Sequence, residues 1–159
     1  MKLWGIDLGG TKIECAVLES SDNMNVLIRK RIPTEADKGY EHIISQIKKL
    51  VDLVADELGE RPQKIGFATP GVLDPATKTM KNCNTVCMNG NPMNKDLEAV
   101  LGIPVKLAND ANCFALSEAT DGSGAGHNVV FGAILGTGCG GGIVAHQRLM
   151  TGPNAWTMA

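Results

Sequence analysis

The sequence predicts an α/β fold, and three observations carry that prediction. Short segments rich in valine and isoleucine are bounded by glycine, proline and asparagine, as strands are. Between them the apolar residues of 40–58 recur every three or four positions, the period of an amphipathic helix. Two glycine-rich turns, Gly5-Ile6-Asp7-Leu8-Gly9-Gly10-Thr11-Lys12 and Leu135-Gly136-Thr137-Gly138-Cys139-Gly140-Gly141-Gly142, each lie between apolar, strand-like segments.

Taken in order, Leu3 to Leu8, Ile13 to Leu18 and Val26 to Ile32 are three strands in an antiparallel meander, so the first glycine turn is its first hairpin. Ile43, Ile47, Leu50 and Val54, with Ile44, Val51 and Leu58 beside them, form one apolar face of a helix that Gly59 stops. Lys64 to Thr69 is the next strand, ending at Pro70-Gly71. Asp74 to Asn94 is polar, rich in asparagine and without clear periodicity, which predicts a functional or disordered loop. Asp96 to Leu101 is a short helix closed by Gly102, Val105 to Ala108 a strand, and Asn109-Asp110-Ala111-Asn112 opens a helix through Ala119. A Gly/Ser linker, Asp121 to Gly126, divides the chain at about residue 120. After it, Val129 to Ala145 reads as two buried strands around the second glycine turn.

With 159 residues the chain has room for one domain with a core, or one domain and part of another. Its 15 basic and 17 acidic residues, a net charge of -2, give no electrostatic case for nucleic acid or an anionic membrane and favour small-molecule partners. A charge follows too soon after Met1 for a signal peptide, so the expected location is cytoplasmic. The uncharged run 129–145 approaches membrane-span length, but six of its residues are glycines. Five cysteines at scattered positions predict free thiols, and Cys83 and Cys87 lack the spacing of a metal-binding pair. His42, His127 and His146 have no partner at metal-ligand spacing and are expected at the surface.

The candidate chemistry lies in the turns and in the asparagines. Asp7 ends a strand directly before Gly9-Gly10, where an unpaired carboxylate would meet a cation or a metal-bound water; an Asx turn capping the hairpin is the alternative. Thr11 can offer hydroxyl and N–H to a phosphate and Lys12 a point charge, although a hairpin lysine is commonly just solvated. This turn is not a Walker A loop, because strand follows where helix should. The second turn satisfies GxGxxG at Gly136, Gly138 and Gly141. A strand follows there too, and no Asp or Glu occurs after Asp121 to bind a ribose. Asp110, opening a helix after a strand, is the candidate general base; a helix cap at Asn109 or Asp110 is the bland alternative, and both can hold. Asn84, Asn89, Asn91 and Asn109 have the paired donors and acceptors that recognise a polyol, or else form turns. Gly71 is placed to let backbone approach a ligand.

In order and spacing, Asp7-x-Gly9-Gly10-Thr11-Lys12, Thr69-Pro70-Gly71, Lys81-Asn82-x-Asn84, Leu107 to Asn112 and Leu135-Gly136-Thr137-Gly138-x-Gly140 resemble the motifs of ROK-family sugar kinases. Asn84 to Pro92 and Lys106 to Gly122 look most like bacterial fructokinases with mannokinase activity, with N-acetylglucosamine kinases next. The resemblance implies an actin-like, ribonuclease-H-like fold of two lobes, with residues 1–120 as the small α/β lobe and 121–159 as linker and first strands of the large one. It implies transfer of the ATP γ-phosphoryl group to a hexose, most directly fructose, with Asp110 as base. Asn84, Asn89, Asn109 and Gly71 would serve the sugar. Asp7, Gly9, Gly10, Thr11, Lys12, Gly136, Thr137 and Gly138 would serve ATP, and Asp7 would serve Mg2+ through water. The family's Gly-Glu-x-Gly-His segment and zinc site have no match here: Thr151-Gly152-Pro153-Asn154-Ala155 gives way to Trp156-Thr157-Met158-Ala159. A truncated large lobe is therefore expected, with exposed apolar strand surface and self-association, for instance as a homodimer. A non-catalytic regulatory relative and an actin-like ATPase without a sugar are the competing readings.

Overall fold

The computed structural model describes residues 1–135 and 139–151. The strands β1 (Leu3–Leu8), β2 (Lys12–Leu18) and β3 (Val26–Pro33) form the expected antiparallel meander. The helix α1 (Tyr40–Leu58) follows, ending at Gly59, whose φ of 70° is the left-handed value that an L side chain resists. It returns the chain to β4 (Ile65–Thr69), which runs parallel to β1. Strands β5 (Val72–Leu73) and β6 (Met80–Lys81) make a small hairpin, α2 (Met93–Leu101) follows, and β7 (Val105–Asn109) completes a five-stranded sheet in the order β3-β2-β1-β4-β7.

One face of this sheet is packed and the other open, as strict alternation along β2 requires: Ile13, Cys15 and Val17 are buried, while Glu14, Ala16 and Leu18 are only partly so. The buried set meets Ile43, Ile47, Leu50 and Val54 of α1 and Leu97 of α2 in one core, all of them fully enclosed.

The structure bears on three sequence expectations here. The polar stretch from 74 onward is ordered: β5 pairs β6, a single helical turn spans Val86–Met88, and α2 begins at Met93, three residues before the expected start. Its anchors are Met80, Met88 and Met93, all essentially buried in the main core. Unbranched methionine suits such irregular gaps, and three isolated anchors produce no periodicity. Further on, α3 (Asp110–Thr120), β8 (Val129–Leu135), β9 (Cys139–Ala145) and β10 (Arg148–Met150) form a second unit, with the sheet order β10-β9-β8. Helix α3 packs on it through Ala115 and Ala119, in a small cluster with Val144. By packing, therefore, α3 goes with the second sheet, although a division at residue 120 would leave it with the first. Strand β8 is not buried as expected: Val129, Phe131 and Leu135 are 64%, 57% and 80% exposed, since no layer among the described residues covers its outer face.

All five cysteines are free thiols. His42 does find a partner, the Glu35 carboxylate 2.6 Å from its Nε2. No helix among the described residues is long and apolar enough to cross a membrane.

Candidate functional site

Parallel pairing brings the carboxyl ends of β1, β4 and β7 together. Asp7 stands opposite Ala68, Ala68 opposite Ala108, and Thr69 opposite Asn109. Crevices at the carboxyl ends of parallel strands are where open α/β sheets bind ligands. The buried Thr69 hydroxyl of β4 reaches the neighbouring strand β7, lying 3.2 Å from the Ala108 carbonyl and 3.1 Å from that of Gly71.

At the β7–α3 junction Asn109 is the helix cap. Its Oδ1 accepts from the Ala111 and Asn112 amides at 3.1 and 3.3 Å, and its Nδ2 donates to Asp110 Oδ1 at 3.0 Å. The Ala111 amide also reaches Asp110 Oδ1 at 2.8 Å. One carboxylate oxygen of Asp110 is thus held by two donors, and the other has no partner among the described residues. Cap and candidate base are separate residues, an arrangement in which the cap orients the base.

Opposite lies the first glycine turn. The amide of Gly9 donates to the Lys12 carbonyl at 3.0 Å, Thr11 and Lys12 are exposed, and a Cβ on Gly10 would come to 3.1 Å from the Thr85 hydroxyl. The asparagine-rich loop therefore abuts the turn. Asp7 and Glu14 are register neighbours with opposite fates: Glu14 is ion-paired with Arg29 and Arg31, whereas Asp7 has no hydrogen bond or ion pair among the described residues. Asp7 is open to water at the mouth of a groove of about 490 Å³, whose walls include Gly5, Glu14, Arg29, Lys106 and Cys113. The walls thin the water around it, and Asp110 and Glu14 add negative charge, so its carboxyl is held above the usual range. Burial, then Asp110 and Asp7, push the Cys113 thiol up in the same way.

A carboxylate destabilised by its own neighbours suits a cation. No group of three or more His, Cys, Asp or Glu among the described residues could hold a metal alone. Magnesium does not need one, because one or two carboxylates with substrate phosphates and waters suffice. Asp7 fits that role.

The remaining sequence candidates divide. Asn84 is exposed beside Thr85. Asn89 braces its own loop: Oδ1 accepts from the Cys83 amide at 2.8 Å and Nδ2 donates to the Cys83 carbonyl at 3.2 Å. Asn91 similarly donates to the Cys87 carbonyl at 2.9 Å. Gly71 is buried, and a Cβ there would meet Cys83 Sγ at 2.4 Å and the Lys81 carbonyl at 2.5 Å. The backbone that approaches the Cβ side of this glycine is the chain's own, which is by itself a reason for a glycine there. Gly136, Thr137 and Gly138 lie outside the described residues. Sequence reasoning missed Thr34, fully buried, whose hydroxyl donates to the Gly9 carbonyl at 2.6 Å. A lone threonine after a strand carries no signal of that.

A five-stranded sheet with a glycine hairpin turn between its first two strands, and an Asn-capped helix beginning with a carboxylate after its last parallel strand, is the architecture of an actin-like lobe. The chain belongs to the ROK family, whose model matches residues 3–157. It is 40% identical over 151 residues to an N-acetyl-D-glucosamine kinase of Vibrio atlanticus, an alignment covering 95% of this chain and 49% of that protein. The ROK hexokinase of Thermus thermophilus superposes with a TM-score of 0.82 at 32% identity, over 98% of this chain and 50% of that one. A ROK glucokinase from Streptomyces griseus, in complex with glucose and AMPPNP, gives a TM-score of 0.86 at 29% identity, over 99% of this chain and 48% of that one. The chain spans about half the length of the curated relatives it matches.

Proposed function

We propose that this chain supplies the phosphate turn and the catalytic base of an ATP-dependent hexose kinase. The supporting observation is the Asp110 carboxylate, with one oxygen fixed by Ala111 and Asn109 and the other unpartnered among the described residues, close enough to Asp7 for its charge to raise the Asp7 carboxyl. In this reading Asp110 accepts the proton of a sugar hydroxyl as that oxygen bonds to the γ-phosphorus and the bond from γ-phosphorus to the ADP oxygen breaks. Gly10, Thr11 and Lys12, with Gly136, Thr137 and Gly138, hold the phosphates, and Asn84 and Asn109 orient the sugar. Asp7 would hold magnesium through water, and the metal would supply neutralisation of phosphate charge.

N-acetylglucosamine is the substrate this reading favours, since the Vibrio relative carries that name at 40% identity. The expectation of fructose finds no counterpart among these relatives. The exposed apolar residues of β8 support self-association of the chain. Phosphoryl transfer to N-acetylglucosamine, glucose, mannose and fructose, measured on a chain extended to its relatives' length, tests the reading. Asp110→Asn is expected to lower turnover at least about a hundredfold with little change in melting temperature. Unchanged turnover removes Asp110 as the base.

A further inference from the structure

We infer that Thr34 is a positioning residue for the phosphate turn, acting by holding the carbonyls of Gly9 and Thr11 so that the turn's amides stay available to a phosphate. The inference rests on the phosphate reading of Gly9–Lys12.

Three contacts carry it. The Thr34 hydroxyl donates to the Gly9 carbonyl at 2.6 Å, and the Thr34 amide donates to the Thr11 carbonyl at 2.9 Å. One residue thus engages two carbonyls of a four-residue turn from outside it. The third contact lies behind: Gln46 of α1, almost wholly buried, donates from Nε2 to the Pro33 carbonyl at 2.8 Å and fixes the peptide that carries Thr34.

The consequence lies in what is left unpaired. With the Gly9 and Thr11 carbonyls engaged, the Gly10 and Thr11 amides donate to nothing among the described residues. Successive unpaired amides in a turn form a concavity for an anion. Thr34 is 0% exposed, and a buried hydroxyl needs a partner, which the Gly9 carbonyl supplies. Threonine also resists rotation about χ1, which holds the hydroxyl in place. Turn and support move together because Lys12 and Pro33 are register partners at the end of the β2–β3 ladder.

The test compares the full chain with Thr34→Val, which keeps the shape and loses the hydroxyl, and Thr34→Ser, which keeps the hydroxyl. Each is titrated with magnesium tripolyphosphate while the amide resonances of Gly9 to Lys12 are followed by NMR, and each is melted separately. Expected are saturable shifts at Gly10 and Thr11 in the wild type, affinity about tenfold weaker in Thr34→Val, and affinity within about twofold of wild type in Thr34→Ser. A Thr34→Val protein that melts earlier but binds as tightly as wild type overturns the inference, because the residue then only packs. Wild-type Gly10 and Thr11 resonances that ignore the probe overturn the phosphate reading itself, and the role of Thr34 with it.

Discussion

Replacing Gly71 by alanine separates two accounts of that glycine. Its φ lies outside the left-handed region, so backbone freedom is not the reason for a glycine; the reason is space. A Cβ would come to 2.4 Å from Cys83 Sγ, 2.5 Å from the Lys81 carbonyl and 3.0 Å from the Cys83 amide. Two of those atoms are backbone, so no rotamer change relieves them. Strand β6 would have to lift away from β5, taking Met80 partly out of the core. Overpacking of this kind costs roughly 1–3 kcal/mol, and backbone contacts put Gly71→Ala at the upper end, about 3 kcal/mol. For a domain of this size that is a fall of about 6–12 °C in melting temperature. Urea unfolding, with a slope of about 2–3 kcal/mol per molar, should show the midpoint lower by ~1 M. Adding Cys83→Ala removes the sulfur contact and leaves the Lys81 carbonyl, so the double variant should recover only part of the loss. A Gly71→Ala protein that melts within about 1 °C of wild type refutes the steric account. If that protein also lost sugar affinity, the ligand account would replace it.

Other predictions follow from the charges and the cap. Because the folded-state pKa of Asp7 is raised above the usual 3.8, its contribution favours the fold only below that value and is lost as pH rises through the folded pKa; Asp7→Asn should therefore raise the melting temperature at pH 7 while abolishing magnesium-dependent phosphate binding. Lower stability in Asp7→Asn would contradict it. Asp74 behaves oppositely: Lys81, then the Thr77 and Ala76 amides, bring its carboxyl down to about 2, so its support for the 74–81 hairpin is present above pH 3.8 and vanishes as pH falls through about 2, and carboxyl NMR should find that midpoint. Asn109→Ala removes the side chain that caps two amides of α3 and should cost about 1 kcal/mol, with Asn109→Ser restoring most of the melting temperature.

Where local chemistry dictates local structure, the sequence could be read. The meander, the apolar face of α1, the glycines closing α1 and α2 with φ of 70° and 69°, and the cap at Asn109 all follow from period or from a single residue's backbone preference. What could not be read depends on distant neighbours. The two-residue strands β5 and β6 are too short to show alternation, and the order of their loop comes from methionines in a core built largely by α1. Gly71 is small because residues 81 and 83 return to it, and Thr34 matters because the first hairpin lies against it. In the site, Asp7 and Asp110 were recognisable as carboxylates after strands. That Glu14 would be neutralised by Arg29 and Arg31 while Asp7 stays unpaired is a property of register, visible only once β2 and β3 are aligned.

The second glycine segment shows how two physical demands can overlap in one run of sequence. Gly140, Gly141 and Gly142 belong to β9, and a Cβ at Gly142 would meet the Ala111 carbonyl and the Ala115 methyl at 2.9 Å. Gly132 of β8 is as close, 2.9 Å from the Cα of Ala115. These glycines let α3 lie directly on the three-stranded sheet, and the first residue of α3 is Asp110. The candidate base is therefore joined to one sheet by chain continuity through Asn109 and pressed against the other by glycines some thirty residues later. Any relative movement of the two sheets must pass through α3 and shift the carboxylate relative to the Asp7 turn. A stretch that reads as a phosphate loop thus also sets where the candidate base stands. On the proposed kinase reading, that coupling, rather than any single motif, is what would make the junction of the two sheets the place for phosphoryl transfer.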